Sequence, residues 1–362
     1  MTVKMPNGDA LRAPFPWFGG KSTIAETVWR RFGNVTNYVE PFFGSGAVLL
    51  ARPQIGHTET INDKDHFVAN FWRATQRDPE AVAHYADWPV NETDLHARHW
   101  WLLTKGAARL REIEGEPELY DAQVAGWWVW GACAWIAAGW CSGRGPWQWG
   151  ASGWRKAGND EGTAGQGIKR KLPHLGTAGQ GINRQLPHLG NAGRGINRQL
   201  PHLGNAGRGA FIADWLMALS ARLRNVRVCA GDWSRVCGPS VTSRHGLTGV
   251  FLDPPYADEA NRTEGLYSTD CLQVAHDVRQ WAIAEAVNPA MRICLAGYEG
   301  EHDMPPEWEC VEWKARGGFG SQGDDDDGLG RANAKRERLW FSPGCLKIER
   351  DRTFFDLLEA AE

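Results

Sequence analysis

Residues 37–50 constrain the fold most, because a strand, a glycine turn and a helix start follow one another there without spare residues. The run from Asn37 to Val39 is extended and half apolar. Glu40-Pro41-Phe42-Phe43-Gly44-Ser45-Gly46 cannot continue a strand, and Ala47-Val48-Leu49-Leu50 begins an apolar helix. Ile24 to Phe32 reads as a helix before it, and Thr58 to Asn62 as a second strand after it. That βαβ rhythm opens a doubly wound α/β sheet. Further strands are predicted at Val250-Phe251-Leu252, at Arg292 to Ala296 and at Arg338 to Phe341. The sheet is therefore expected from residues of roughly 36–70 and 226–345, with an insertion between them.

The insertion has its own character. Residues 94–141 are helical in pattern and aromatic, 142–160 are rich in Gly, Trp and Arg, and a helix from Ala210 to Arg224 leads back to the sheet. Between these lies a period of fourteen: GIKRKLPHLGTAGQ (167–180), then GINRQLPHLGNAGR twice (181–194 and 195–208). Three glycines and a proline per copy exclude a continuous helix. The repeat is read as a loop lengthened by tandem duplication, the alternative being short stacked rungs at Ile182 to Leu186 and its equivalents. The resulting organisation is a sheet domain of residues 1–90 and 225–362, interrupted by an insertion, 91–224.

Composition narrows the class of function. The chain has 42% hydrophobic and 23% charged residues, an ordinary globular balance. It has no run of about 18 apolar residues and no signal-like start, so a cytoplasmic protein without membrane contact is expected. Eight cysteines without a Cys-x-x-Cys pair predict neither zinc nor disulfides. Asp324 to Asp327 lack the alternating spacing of a calcium loop and read as a solvated loop. No metal is expected. Net charge is −3, yet no acidic residue occurs from Gly162 to Ala210, where seven Lys and Arg lie. That basic segment is an electrostatic footprint for nucleic acid, with Arg184, Arg194, Arg198 and Arg208 as candidate phosphate contacts. Most of the 20 tryptophans are expected in the core, and a minority on bases or sugars.

Two motifs carry chemistry. The Glu40–Gly46 turn has the setting of a nucleotide-type cofactor loop, where Gly44 and Gly46 would let backbone approach a ligand. Its spacing is not that of a dinucleotide loop, and Asp63 at the next strand end suits the two hydroxyls of a ribose. Asp253-Pro254-Pro255-Tyr256 ends a buried strand in a turn that two prolines make rigid. The Asp253 carboxylate and the Pro254 carbonyl can then accept both hydrogens of an exocyclic amino group, and Tyr256 offers a face to an extruded base.

Taken with Phe15-Pro16-Trp17-Phe18-Gly19-Gly20-Lys21, these motifs resemble, in type and order, the Dam-like (D12 class) adenine methyltransferases. Asn333 to Pro343, with Arg336, Glu337 and Arg338, resembles a version found among phage-related members. The resemblance implies a Rossmann-like methyltransferase fold with a target-recognition insertion. It also implies S-adenosylmethionine as cofactor and double-stranded DNA as partner, with transfer to N6 of a flipped adenine. Trp17 and Lys21 would contact the methionine end of the cofactor. Glu40, Phe42 and Gly44 would line its pocket, Asp63 would hold the ribose, and Asp232 and Trp233 would contact its adenine. Asp253, Pro254, Pro255 and Tyr256 would be catalytic. A monomer in a bacterial or phage-infected cell is expected, either as an orphan or as part of a restriction-modification pair. N4-cytosine methylation is the nearest alternative, and an inactive DNA-binding module the alternative from another class.

Overall fold

The computed structural model describes residues 10–17, 21–53, 58–135, 140–141, 147–150, 153–156, 209–255, 272–313 and 337–348. In chain order the elements are α1 (Ala25–Phe32), β1 (Asn37–Glu40), α2 (Ala47–Leu50), β2 (Thr58–Asp63), α3 (His66–Arg77) and α4 (Pro79–Ala86). Next come α5 (Glu92–Trp101), α6 (Ala107–Arg109), α7 (Ala122–Ala134) and a small hairpin, β3 (Trp147–Gly150) and β4 (Gly153–Lys156). The chain ends through α8 (Gly209–Leu223), β5 (Val226–Ala230), β6 (Thr248–Leu252), α9 (Leu272–Glu285), β7 (Met291–Tyr298), β8 (Glu309–Glu312) and β9 (Glu337–Phe341). The repeats, including the Ile182 to Leu186 rung, and the Asp324 to Asp327 run lie outside the described residues.

Local chemistry explains where the helices begin. Asp65, Asp78, Asn91 and Asp121 each accept a backbone N–H of the first turn of α3, α4, α5 and α7, and Pro79 occupies the first position of α4. A π-helical turn at Leu102–Gly106 joins α5 to α6.

Seven strands form one sheet in the order β5-β2-β1-β6-β7-β9-β8. The first five are parallel, while β9 runs antiparallel to β7 and β8 antiparallel to β9. Both faces are buried, as successive side chains reveal. Tyr38, Phe251, Cys294 and Ala296 enter one apolar layer with α1, α3, α4, α7 and α8. Val39, Val250, Leu252, Ile293 and Leu295 enter the other, against α9. This two-sided burial is the signature of a doubly wound sheet. The edge strand β8 is exposed and carries Glu309 and Glu312, charges that discourage strand addition.

The helices between residues 92 and 134 share the apolar layer of the sheet, with Leu95, Leu102, Val124, Val129 and Trp130 among its members. Helix α7 crosses α4 closely at Gly126, where a Cβ would stand 2.4 Å from the Tyr85 Cβ and 2.7 Å from the Val82 carbonyl. Many tryptophans are core: Trp72, Trp128, Trp130, Trp135 and Trp215 are buried, whereas Trp88 is exposed. Seven cysteines among the described residues are free thiols. Among those residues no helix is long and apolar enough to cross a membrane.

Candidate active site

The strand order places the site. The chain builds the sheet outward from β1 through β2 to β5, then returns to lay β6 on the other side of β1. The carboxyl ends of β1 and β6 thus diverge at a topological switch point, where open α/β sheets hold ligands. The loop after β1 carries Glu40 to Gly46, and the loop after β6 carries Asp253.

In the first loop both glycines are left-handed, Gly44 at φ 48° and Gly46 at φ 72°. A Cβ on Gly44 would lie 2.4 Å from the Trp17 indole nitrogen, and one on Gly46 would lie 2.6 Å from the Phe43 ring. The protein's own aromatic rings therefore fill the space that the glycines open, a different reason from the ligand approach expected of them. Trp72 Nε1 donates to the Gly44 carbonyl at 2.8 Å, and Trp17 packs on Phe15 and Trp128. Buried Asn62 ties this loop to the one after β5, donating to Pro41 O (3.0 Å) and Gly231 O (2.9 Å). Its role was not foreseen, since nothing in its spacing marks it.

Asp63 ends β2. One carboxylate oxygen accepts the Gly44 N–H and the other accepts the Asp65 N–H, both at 2.9 Å. Burial, then the neighbouring charge of Asp65, raises its pKa from 3.8 to about 7 against those hydrogen bonds. Glu40 is buried too and accepts the Tyr38 hydroxyl at 2.8 Å, and burial lifts its pKa well above 4.5. Asp232 caps the turn Trp233–Val236 through Ser234, and those bonds hold its pKa below 3.8 although burial opposes them. Phe42 and Trp233 stack at 27°, their centroids 6.4 Å apart.

Lys21 is buried, and its ammonium stands 3.0 Å from Asp253 Oδ2 and 3.7 Å from Glu337 Oε2. Burial alone would lower its pKa, but the carboxylates of Asp253 and Glu337 outweigh that and raise it above 10.5. The residue expected at the methionine end of a cofactor thus touches the expected catalytic carboxylate. The Asp253 side chain keeps 20% exposure, while Pro254 behind it is buried.

One cavity at the switch point gathers Trp17, Lys21, Glu40, Phe42, Gly44, Asp63, Asp232 and Trp233 together with Asp253 and Pro255. It also reaches Lys64 and Asp65, so five carboxyl groups face two ammonium groups. Tyr256 and the basic residues Arg184, Arg194, Arg198 and Arg208 lie outside the described residues. Among the described residues no group of three or more His, Cys, Asp or Glu could hold a metal ion.

A family model for the D12 class N6 adenine-specific DNA methyltransferases matches residues 17–98. The chain is a DNA adenine-N6 methyltransferase. The match spans Trp17, Lys21, Glu40, Phe42, Gly44 and Asp63, so the methyltransferase domain it describes includes the whole β1 side of the cavity. Comparison with curated proteins gave no match.

Proposed function

We propose that this methyltransferase binds S-adenosylmethionine at the switch point and methylates N6 of an adenine drawn out of double-stranded DNA, with Asp253 as the acceptor carboxylate. The observation that carries the reading is that Asp253, on the loop after β6, opens into the same cavity as Asp63 and the glycine loop after β1. The carboxylates of Asp65 and Asp232 beside Asp253 suit a cationic ligand, while burial favours the neutral forms of Glu40 and Asp63. When bound, the cofactor supplies an activated methyl group on a sulfonium.

The chain's own residues then orient the reactants. Asp63, fixed by two backbone N–H groups, accepts from the ribose hydroxyls, and Phe42 and Trp233 flank the cofactor's adenine with Asp232 beside them. Trp17 and Glu40 close the far end. Asp253 and the Pro254 carbonyl accept the two amino hydrogens of the target adenine, which turns the nitrogen lone pair toward the methyl group. Pro255 stiffens the turn, and Tyr256 stacks on the extruded base, whose unstacking costs a few kcal/mol. Orientation and desolvation supply the catalysis, with no covalent enzyme intermediate.

The acid-free segment with Arg184, Arg194, Arg198 and Arg208 supplies phosphate contacts that hold the duplex without reading its sequence. The enzyme works as a monomer in the cytoplasm of a bacterial or phage-infected cell. Methylation-sensitive sequencing of DNA from cells expressing the protein tests the reading. N6-methyladenine above the level of an Asp253→Ala control supports it, and its absence, or methyl groups on cytosine, overturns it.

A further inference from the structure

A second cavity shares no residue with the one at the switch point. It lies where α4, α5, α7 and α8 meet and holds about 560 Å³, inside the roughly 300–1,000 Å³ usual for small-molecule sites. Arg98 of α5 lines it and is its anomaly. The residue is 8% exposed, and its guanidinium lies 4.4 Å from the ring centroid of Trp130, 5.0 Å from that of Trp127 and 5.3 Å from that of Trp88. Among the described residues none accepts a hydrogen bond from it, and Asp94, one turn earlier, attracts it without forming an ion pair. Burial pulls its pKa down to about 10. Indole faces attract a cation but offer no lone pair to its five N–H donors. A buried guanidinium in that condition is costly until an acceptor reaches it.

The other walls specify the acceptor. Trp88 is 48% exposed yet pinned, since its Nε1 donates to Asp94 Oδ2 and its carbonyl accepts from Trp130 Nε1, both at 2.8 Å. A fixed, half-exposed indole beside a cavity is a platform for a planar ring. Glu80 and Asp87 line the same cavity, and two carboxylates oppose an anion there. A neutral, planar ligand fits, with acceptors for Arg98 on one edge and donors for a carboxylate on another. Guanine has that pattern: O6 and N7 are the acceptors that arginine engages as a pair, and N1–H and the N2 amino group suit a carboxylate. We propose that this cavity is a second ligand site, which takes a guanine base stacked on Trp88 and hydrogen-bonded to Arg98. Because Arg98 is too buried to reach into a groove, the guanine is unpaired. The inference does not rest on the role given to Asp253.

The test is a titration of the full chain with guanosine, followed by tryptophan fluorescence and calorimetry, with S-adenosylmethionine present to fill the switch point. Guanosine should bind with a Kd below about 1 mM, at least about tenfold tighter than adenosine, cytidine or uridine. Inosine, which lacks the N2 amino group, should bind about fivefold more weakly than guanosine. Arg98→Met and Trp88→Leu should each weaken guanosine binding by at least about tenfold. A single-stranded oligodeoxynucleotide with one guanine, compared with the same strand lacking it, separates the two sources of the base. A guanine-dependent gain of about tenfold over guanosine, lost in both variants, makes DNA the source, and guanosine binding without that gain makes it a free nucleoside or nucleotide. No binding of guanosine at about 1 mM, equal affinity for the four nucleosides, or undiminished affinity in either variant would overturn the proposal. If Arg98→Met fails to fold, Arg98→Lys, which keeps the charge and loses the planar fork, carries the comparison. Loss of fold in both makes Arg98 a structural cation and overturns the proposal as well.

Discussion

Two buried ionic clusters sit at opposite ends of the same sheet, and they are inverses of each other. At the amino end, Glu59 of β2 lies between two guanidinium groups, Arg52 at 2.9 Å and Arg222 at 2.7 Å. At the carboxyl end, Lys21 lies between two carboxylates, Asp253 and Glu337. The first cluster is closed. Both Glu59 oxygens are taken, and the guanidinium groups spend further donors on the carbonyls of Val35 and Leu49. All three of its side chains are buried. The second cluster is partly exposed, since Asp253 keeps a fifth of its surface accessible. On the reading proposed above, exposure to the cavity is what separates the charge given a chemical role from those that only hold the chain together.

The sharpest way to break that contrast is to remove the reachable oxygen. Asp253→Ala should lose methylation by at least about 10² to 10³, the scale of one preorganised contact, while calorimetry finds the cofactor still bound. A variant that keeps more than a tenth of the wild-type rate removes the chemical role of the partly exposed cluster.

Glu59→Ala probes the closed one. Two buried guanidinium groups would lose their partner, so unfolding in denaturant should show a loss of about 3–5 kcal/mol. A loss under about 1 kcal/mol would mean that water or other groups satisfy the arginines, and the cluster would not be closed in the sense argued.

Asp63 stands between the two cases, because backbone donors fix both of its oxygens and yet it faces the cavity. Asp63→Ala should weaken cofactor binding by roughly 1–3 kcal/mol. Its pKa of about 7 adds a pH dependence. Binding that needs the ionised carboxylate should weaken as pH falls below 7, by about tenfold per pH unit, and Asp63→Asn should abolish that slope. Stability moves the other way. The folded chain binds this proton more tightly than the unfolded chain, so stability from Asp63 is lost as pH rises from about 4 to 7. A flat binding profile in the wild type would place the ribose contact elsewhere.

The smallest effect is expected of the repeats. Deleting residues 181–208 removes Arg184, Arg194, Arg198 and Arg208 and should weaken DNA binding and flatten its salt dependence, with cofactor affinity unchanged. Equal salt slopes with and without those copies would make the repeat a passive expansion.

The contrast also explains what the amino-acid order discloses. The strands at Asn37, Thr58, Val250, Arg292 and Arg338 were legible because apolar runs end in glycine, proline or aspartate, and the structure extends each by only one to three residues. Glu40, Phe42, Gly44, Asp63 and Asp253 were legible because each lies next to such a strand end, whereas Trp17, Lys21, Asp232 and Trp233 were marked only by the family resemblance. Strand β8 escaped notice, since Glu-Cys-Val-Glu is too short and charged to read as one. The hairpin of β3 and β4 escaped too, hidden in a stretch noted for its glycine and tryptophan content. The ionic clusters were invisible for a different reason. Arg222 meets Glu59 across 163 positions, and the alternating Thr-Glu-Thr of β2 looks like a solvent-facing edge until a distant helix covers it. Glu337 stood in a segment noted for its resemblance, but its partnership with Lys21 is a property of the folded sheet alone.

One consequence follows from the helices that flank the repeats. Helix α7, before them in sequence, and α8, after them, both pack on α4 in the same apolar layer, and neither lines the switch-point cavity. A DNA polymerase copying the tandem repeat can slip by whole units, and each slip adds or removes fourteen residues between α7 and α8. The gene can therefore sample shorter and longer repeat tracts across generations without altering a residue of the sheet or of the cavity, which makes this stretch a ready site for rapid divergence among descendants.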